Sequence, residues 1–177
     1  VRYTIASNGA CPATTSDSTF VVNYQDTALN TTSTSSICET DTKTLSGLPS
    51  GGSWSVVSGG GSISGTTYTP ANATSNTNVT VRYTIASNGA CPATTSDSTF
   101  VVNYQDTALN TTSTSSICET DTKTLSGLPS GGSWSVVSGG GSISGTTYTP
   151  ANATSNTNVT VRYTIASNGA CPATTSD

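Results

Sequence analysis

The sequence has no histidine, no methionine and few charged residues, and these shortages exclude several functions. Five Lys and Arg stand against nine Asp and Glu, so the net charge is -4 and the clustered cations that bind nucleic acid are lacking. Without histidine, paired acids or a GxSxG, HExxH or phosphate-loop motif, we expect neither catalysis nor a cofactor. No stretch approaches the roughly 20 apolar residues of a membrane span, so no span is expected.

The chain is built from an 80-residue repeat, because residues 1–80 and 81–160 are identical and residues 161–177 begin a third copy. A unit of this size is a small domain that buries only about 60% of its unfolded surface and gains from a covalent staple. Fixed-period repetition is typical of proteins whose units stack in a row. The neighbouring repeats of the same chain are therefore the first expected partners.

Alternating apolar and polar residues predict strands throughout the repeat and no helix. Residues 79–86 alternate most clearly, and Asn88-Gly89 predicts a hairpin that returns along residues 98–104. Further strands are expected over residues 40–48 and 53–57 and, more briefly, around Ile63 and Tyr68. About seven short strands separated by turns predict an all-β fold, an antiparallel β-sandwich.

The domain boundary that keeps this hairpin whole falls near residue 25. The polar stretch 25–36 indicates a linker followed by a first edge strand, so a complete domain is expected at residues 25–104. Residues 1–24 are then expected to be the C-terminal hairpin of a preceding repeat. Residues 105–177 are expected to form a repeat that lacks its last strand.

The five cysteines are expected to form disulfides, because the chain has neither histidine nor a CxxC spacing. Disulfides indicate an oxidising, extracellular setting, so an export signal is expected outside these residues. Bonds of Cys38 with Cys91 and of Cys118 with Cys171 leave Cys11 free, whereas bonds of Cys11 with Cys38 and of Cys91 with Cys118 leave Cys171 free. The chain entropy that a disulfide removes from the unfolded state is worth about 4 kcal/mol of stability in both schemes, so it does not decide between them. We expect the first scheme, because it stays within each predicted domain.

Three segments recur in both repeats: CETDTKTLSGLPSGGSWS from Cys38, YTP from Tyr68, and VTVRYTIASNGAC up to Cys91. This pattern resembles the immunoglobulin-like repeats of giant secreted surface proteins of the Bacteroidota, and most of all the repetitive stalk of gliding-motility adhesins of the SprB type. The resemblance implies tandem immunoglobulin-like domains, export by the type IX secretion system and display on the cell surface. It also implies a bond between Cys38 and Cys91, and a core position for Trp54 and its copy Trp134.

Charged residues give few candidate sites. Lys43 shares strand parity with Leu45, and we expect its side chain to snorkel toward water, with an ion pair to Glu39, Asp41 or another acid as the alternative. Glu39, Asp41 and the junction residue Asp26 supply too few oxygen donors for a calcium loop. Solvated acids and no metal site are therefore expected.

Glycosylation is a further expectation from the resemblance. Bacteroidota attach O-glycans at Asp followed by Ser or Thr and then a small or apolar residue, and this pattern marks Ser18, Thr27, Ser98 and Thr107. The alternative is a plain polar surface, because three-residue patterns are common by chance in a chain this rich in Ser and Thr.

Two functions fit these observations. The first is structural: tandem domains form the stalk of a long extracellular adhesin filament, for gliding motility or surface attachment, in which fibres can also pack laterally. The second is a repeat that binds polysaccharide or a solid surface weakly and gains affinity from many copies. Perfect duplication favours the first, because added copies extend reach, whereas a catalytic site gains little from repetition.

Overall fold

The computed structural model describes residues 1–177 and consists of strands and turns, without any helix. It therefore has no helix of the length and hydropathy that a membrane crossing requires. Residues 1–24 contain the strands β1 (Arg2–Ile5) and β2 (Thr14–Asp17). The first repeat, now counted as residues 25–104, contains β3 (Leu29–Asn30), β4 (Ile37–Cys38), β5 (Lys43–Thr44), β6 (Gly47–Leu48), β7 (Ser53–Ser58), β8 (Ser62–Ser64), β9 (Thr67–Thr69), β10 (Thr77–Ile85) and β11 (Thr94–Asn103). The second repeat, residues 105–177, contains β12 (Leu109–Asn110), β13 (Lys123–Thr124), β14 (Gly127–Leu128), β15 (Ser133–Ser138), β16 (Ser142–Ser144), β17 (Thr147–Thr149), β18 (Thr160–Ile165) and β19 (Thr174–Ser176).

The first repeat is made of two sheets and a short ribbon. One sheet has the strand order β4-β11-β10-β7, the other has the order β5-β9-β8, and β3 pairs with β6. Every pair is antiparallel except that of β4, which runs parallel to the end of β11. The predicted all-β fold is confirmed, and its sheets carry one parallel pair at an edge.

The core of the first repeat lies between the two sheets, as the alternation of β10 predicts. Val79, Val81 and Tyr83 are buried, while Arg82 points outward and forms a bidentate ion pair with Asp97 at 2.7 and 2.8 Å. Each fully buried large apolar side chain adds about 1.5–3 kcal/mol to the free energy of unfolding, compared with the same side chain left exposed. The central cluster consists of Leu45, Tyr68, Val79, Val81, Phe100 and Val102.

Tyr83 is enclosed at one end of this core by an aromatic ring and by glycines. The centroid of its ring lies 4.7 Å from that of Trp54, which is half-buried against the core. The Tyr83 hydroxyl donates to Pro49 O at 2.5 Å and accepts from Gly52 N at 2.8 Å. A Cβ atom on Gly52 would lie 2.3 Å from Tyr83 Cζ. Only glycine therefore allows the turn to close on the tyrosine.

Replacing Gly52 and its copy Gly132 by alanine is expected to lower the free energy of unfolding by about 1–3 kcal/mol per repeat. The added methyl group has to displace the tyrosine ring and so disturbs both hydrogen bonds of its hydroxyl. Urea unfolding followed by tryptophan fluorescence measures the change. The matched control replaces the adjacent exposed residues Ser53 and Ser133 by alanine. Equal unfolding midpoints for the two double variants would contradict the prediction.

The prediction of one strand over residues 40–48 is wrong, because this segment forms two strands with different partners. Lys43–Thr44 pairs with β9, whereas Gly47–Leu48 pairs with β3. Between them the chain changes partner: Leu45 N donates to Thr66 O at 2.8 Å, and Ser46 O accepts from Thr31 N at 2.7 Å. A pattern of apolar positions alone does not show such an exchange of partners.

The predicted hairpin is confirmed, with its turn one residue further along. Asn88 and Cys91 exchange both backbone hydrogen bonds, at 3.2 and 3.0 Å, so Gly89 and Ala90 are the two loop residues. Gly89 has a φ of +58°, as the first loop position of a type II′ turn requires. The returning strand β11 starts at Thr94, four residues before the expected start at residue 98.

The second repeat has the same architecture with a shorter last hairpin. Its final strand β19 ends at Ser176, and the last residue, Asp177, corresponds to Asp97 of the first repeat. No strand corresponds to β4, because β4 pairs with the part of β11 that has no equivalent here. In the hairpin β1–β2 every strand residue is exposed, because no second sheet packs against it.

Candidate functional site

The two repeats meet where the hairpin loop of the second repeat contacts the end of β11 in the first. Cys171 of this loop forms a disulfide with Cys38, and their Cα atoms are 4.6 Å apart. The bond connects residues separated by 133 positions in the sequence. The junction between repeats is therefore covalent as well as continuous along the backbone.

The predicted bonds of Cys38 with Cys91 and of Cys118 with Cys171 are wrong, since Cys91 and Cys118 are free thiols. Cys38 lies beside Asn103 at the end of β11, whereas Cys91 precedes the start of the same strand. A strand of ten residues is about 30 Å long, far beyond the roughly 7 Å that a disulfide allows between Cα atoms. The two cysteines of a repeat thus lie at opposite poles.

Asparagine side chains hold the hairpin loop at the junction. Asn103 is buried, and its Oδ1 accepts a hydrogen bond from Ala170 N at 2.9 Å. Asn168 Nδ2 donates to Tyr104 O at 2.7 Å and to Asn76 Oδ1 at 3.0 Å. Asn76 Oδ1 also accepts from Tyr104 N at 2.8 Å, so the loop, the linker and the first repeat share one polar network.

Gly169 allows the loop to approach Asn103 this closely. A Cβ atom on Gly169 would lie 2.4 Å from Asn103 Oδ1, and its φ of +57° favours glycine in any case. The Asn-Gly pair, which the sequence indicated as a turn, is thus also the surface that contacts the preceding repeat. No sequence pattern distinguishes Asn76 and Asn103 from the many other asparagines in polar segments.

The linker after Asn103 is bound on both sides. Gln105 N donates to Glu39 Oε1 of the first repeat at 3.3 Å, and Gln105 Nε2 donates to Ala166 O of the second at 2.9 Å. Further on, Thr174 Oγ1 donates to Asp106 O at 2.8 Å and accepts from Ala108 N at 2.9 Å. These contacts leave the linker little freedom to bend.

The hairpin loop of the first repeat contacts residues 23–28 in the same way. Asn88 Nδ2 donates to Tyr24 O at 3.0 Å, and Gln25 Nε2 donates to Ala86 O at 2.8 Å. Cys91 Sγ lies 3.2 Å from Asn23 O, just as Cys171 Sγ lies 3.1 Å from Asn103 O. Cys91 is therefore placed as a junction cysteine, and residues 1–24 contain no counterpart of Cys38 to bond it.

Two further cysteines are exposed free thiols. Cys11 lies in the hairpin of residues 1–24, and Cys118 is the counterpart of Cys38. Hydrogen bonds from the backbone and the hydroxyl of Thr120 lower the pKa of the Cys118 thiol. A lowered pKa increases the thiolate fraction, which is the form that attacks disulfides.

Lys43 lies inside the first repeat and forms no ion pair, so the predicted snorkelling and the alternative ion pair to Glu39, Asp41 or another acid are both wrong. Its Nζ lies 4.7 Å from the centroid of the Phe100 ring and donates to Ser35 O at 2.6 Å. Burial lowers the pKa of Lys43. A cation over an aromatic ring and one carbonyl acceptor offset part of the cost of burying the charge.

The free energy of unfolding is expected to rise as the pH increases toward the ordinary lysine pKa of about 10.4. In this range folded Lys43 loses its proton before the unfolded chain does, so the unfolded state binds more protons and is disfavoured. Denaturant titrations at several pH values measure the slope, and Lys43→Met should reduce it. Tyr68 acts in the opposite sense above about pH 10, because burial raises its pKa. Identical pH slopes for the chain and the Met variant would refute this account.

Two of the acids considered for calcium, Glu39 and Asp26, each accept one hydrogen bond. Glu39 accepts from Gln105 N, and Asp26 Oδ1 accepts from the Tyr24 hydroxyl at 2.7 Å. The structure brings together no group of three or more Cys, Asp and Glu side chains that could hold a metal ion.

The candidate glycosylation sites differ in accessibility. Ser18, Thr27 and Thr107 are exposed. Ser98 is half-buried in β11, and its hydroxyl donates to Thr32 O at 3.2 Å. A glycan would fit on the exposed threonines of the two linkers without disturbing a strand.

Comparison with known proteins gives no match: no protein-family model, no curated protein sequence and no solved structure is significantly similar to this chain. The resemblance to surface-adhesin repeats rests on the sequence motifs alone.

Proposed function

We propose that the repeat is a structural unit of the stalk of a long extracellular filament, of the kind that carries surface adhesins. The observation that carries this proposal is the junction, where identical units are joined by a disulfide and by the hydrogen bonds of Asn103, Asn168 and Gln105. Such a junction sets the relative orientation of successive units. A stalk requires this property, whereas an isolated binding domain does not.

The surface of the repeat supports the same function. Charged residues are few, and the outward faces of the strands carry Ser and Thr side chains, such as Thr80 and Thr99, whose hydroxyls bond each other at 2.8 Å. Neutral, hydroxyl-rich strand faces are well solvated and offer few apolar side chains for unwanted contacts. The disulfide supports an oxidising location outside the cytoplasm.

Immunoelectron microscopy of the source cells tests the proposal, using antibodies raised against this chain. Gold particles along thin filaments that extend from intact cells are the expected result. Labelling confined to the cytoplasm, or to compact particles without filaments, would contradict a stalk.

Small-angle X-ray scattering of the purified chain should give one elongated shape, because the junction fixes the two repeats relative to each other.

A polysaccharide array probed with the same purified chain separates the stalk from the binding alternative. A stalk unit should bind no glycan above the background set by an unrelated β-sandwich protein. Specific, saturable binding by the isolated chain would show instead that the repeats themselves recognise a surface ligand.

A further inference from the structure

The pair Asn168-Gly169 holds the junction together and is also chemically labile. Both residues are exposed to water in the hairpin loop, and Gly169 has no side chain to shield its backbone nitrogen. Backbone hydrogen bonds between Asn168 and Cys171 close the loop, whereas Gly169 N donates to no acceptor in the chain. This nitrogen is therefore free to react with the carboxamide of the preceding asparagine, a thermolabile residue type.

We propose that Asn168 is a site of spontaneous deamidation, and that this modification loosens the junction and exposes its disulfide to reduction. Gly169 N loses its proton to hydroxide and attacks Asn168 Cγ, so that a succinimide ring forms. The bond from Cγ to Nδ2 breaks, and the nitrogen leaves as ammonia after taking a proton from water. A water molecule then opens the ring at either carbonyl, which leaves aspartate or isoaspartate and releases a proton.

The junction uses the amide protons that this reaction removes. Asn168 Nδ2 donates to Tyr104 O at 2.7 Å and to Asn76 Oδ1 at 3.0 Å. A carboxylate has no proton to donate, so its oxygens would face two acceptor oxygens and be repelled by them. In isoaspartate the main chain also gains a carbon atom, which moves Gly169 out of its close fit against Asn103. Either product therefore weakens the contact of the hairpin loop with the first repeat.

The disulfide relies on the same contact for its protection from reducing thiols. Cys171 is 1% exposed and Cys38 is 2% exposed, so an attacking thiolate has little access to either sulfur while the junction is closed. Cys171 belongs to the same loop as Asn168, and its Sγ lies 3.1 Å from Asn103 O. A loosened loop thus increases the fraction of molecules in which the disulfide can be reduced. This inference requires only the geometry of the junction and does not rest on the proposed role as a stalk.

Mass spectrometry of tryptic peptides from the full chain measures the modification. Asn168 is the only asparagine of the peptide 163–177, whose sequence occurs in no other tryptic peptide of the chain. Incubation of the folded chain in alkaline buffer should shift this peptide by the mass difference between a carboxylic acid and an amide. The identical peptides 44–82 and 124–162 contain no asparagine before glycine and should keep their mass. An equal shift in these peptides would overturn the proposal, and so would an unchanged peptide 163–177 once the same chain in guanidinium has fully reacted.

The variant Asn168→Asp tests the effect of the modification on the junction. Because two hydrogen bonds are lost, glutathione should reduce the bond between Cys38 and Cys171 about 10-fold faster, as measured by alkylation of the released thiols. The matched control Asn152→Asp introduces the same charge at an exposed residue of the second repeat that makes no hydrogen bond to the first, and should leave the rate unchanged. Both substitutions lie in exposed loops, so neither should unfold the chain. Equal rates of reduction for the two variants would overturn the proposal.

Discussion

Replacing Cys38 and Cys171 by serine is expected to lower the free energy of unfolding by about 5 kcal/mol, the chain-entropy value for a loop of 133 residues. The bond encloses most of both repeats, so its loss enlarges the unfolded ensemble of each. The hydrogen bonds of Asn103 and Asn168 remain, and we expect the repeats to fold but to sample a wider range of relative orientations. Guanidinium titrations measure the first effect and small-angle scattering the second.

The matched control for this double variant is Cys11→Ser, which removes an exposed free thiol that makes no bond. It should unfold at the same denaturant concentration as the unchanged chain. A reducing agent should bring the unchanged chain to the midpoint of the Cys38→Ser, Cys171→Ser variant. If reduction leaves the midpoint where it was, the bond between the repeats does not contribute to stability.

Truncating Phe100 to alanine is expected to destabilise the first repeat by about 3–5 kcal/mol. Phe100 is almost fully buried, meets Tyr68 edge to face with ring centroids 5.4 Å apart, and lies beneath the Lys43 ammonium. Its removal leaves a cavity and also deprives a buried cation of its aromatic partner. Denaturant unfolding followed by the fluorescence of Trp54 measures the loss in a background where Trp134 is replaced by Phe.

The control for this truncation is Thr95→Ala in the same strand and the same background. Thr95 is exposed on the outer face, and surface substitutions of this kind usually change stability by less than about 0.5 kcal/mol. A loss below about 1 kcal/mol for Phe100→Ala would show that the first repeat does not depend on β11 for its core.

The long hairpin was predictable because its two strands carry their signal locally. Val79, Val81 and Tyr83 alternate with polar residues over a strand long enough to cross the whole domain, and burial of one face decides the register. The division of residues 40–48 was not predictable, because it depends on β3 and β9, which approach from distant parts of the sequence. Two-residue strands have too few positions to show a period.

The junction was less predictable than the fold. Both disulfide schemes considered from the sequence paired cysteines at most 53 positions apart, whereas the bonded cysteines are 133 positions apart. The cysteine that bonds Cys38 is determined by the direction in which the hairpin loop of the second repeat points, and this direction is a property of the folded domain. The buried position of Lys43 has a similar cause: the side chain follows its strand parity into the core, and Phe100 and the Ser35 carbonyl accommodate the charge there.

The disulfide at the junction also determines how the chain carries a pulling force. Tension applied at its two ends passes from Cys38 directly to Cys171 through the sulfur atoms and bypasses the backbone between them. The 133 residue steps enclosed, about 450 Å of extended chain at roughly 3.4 Å per residue, are not stretched while the bond is intact. The strands β5 to β18 lie within this unloaded loop. A pulled thread of such repeats would therefore keep its domains folded and lengthen little, and reduction would convert it into an extensible one.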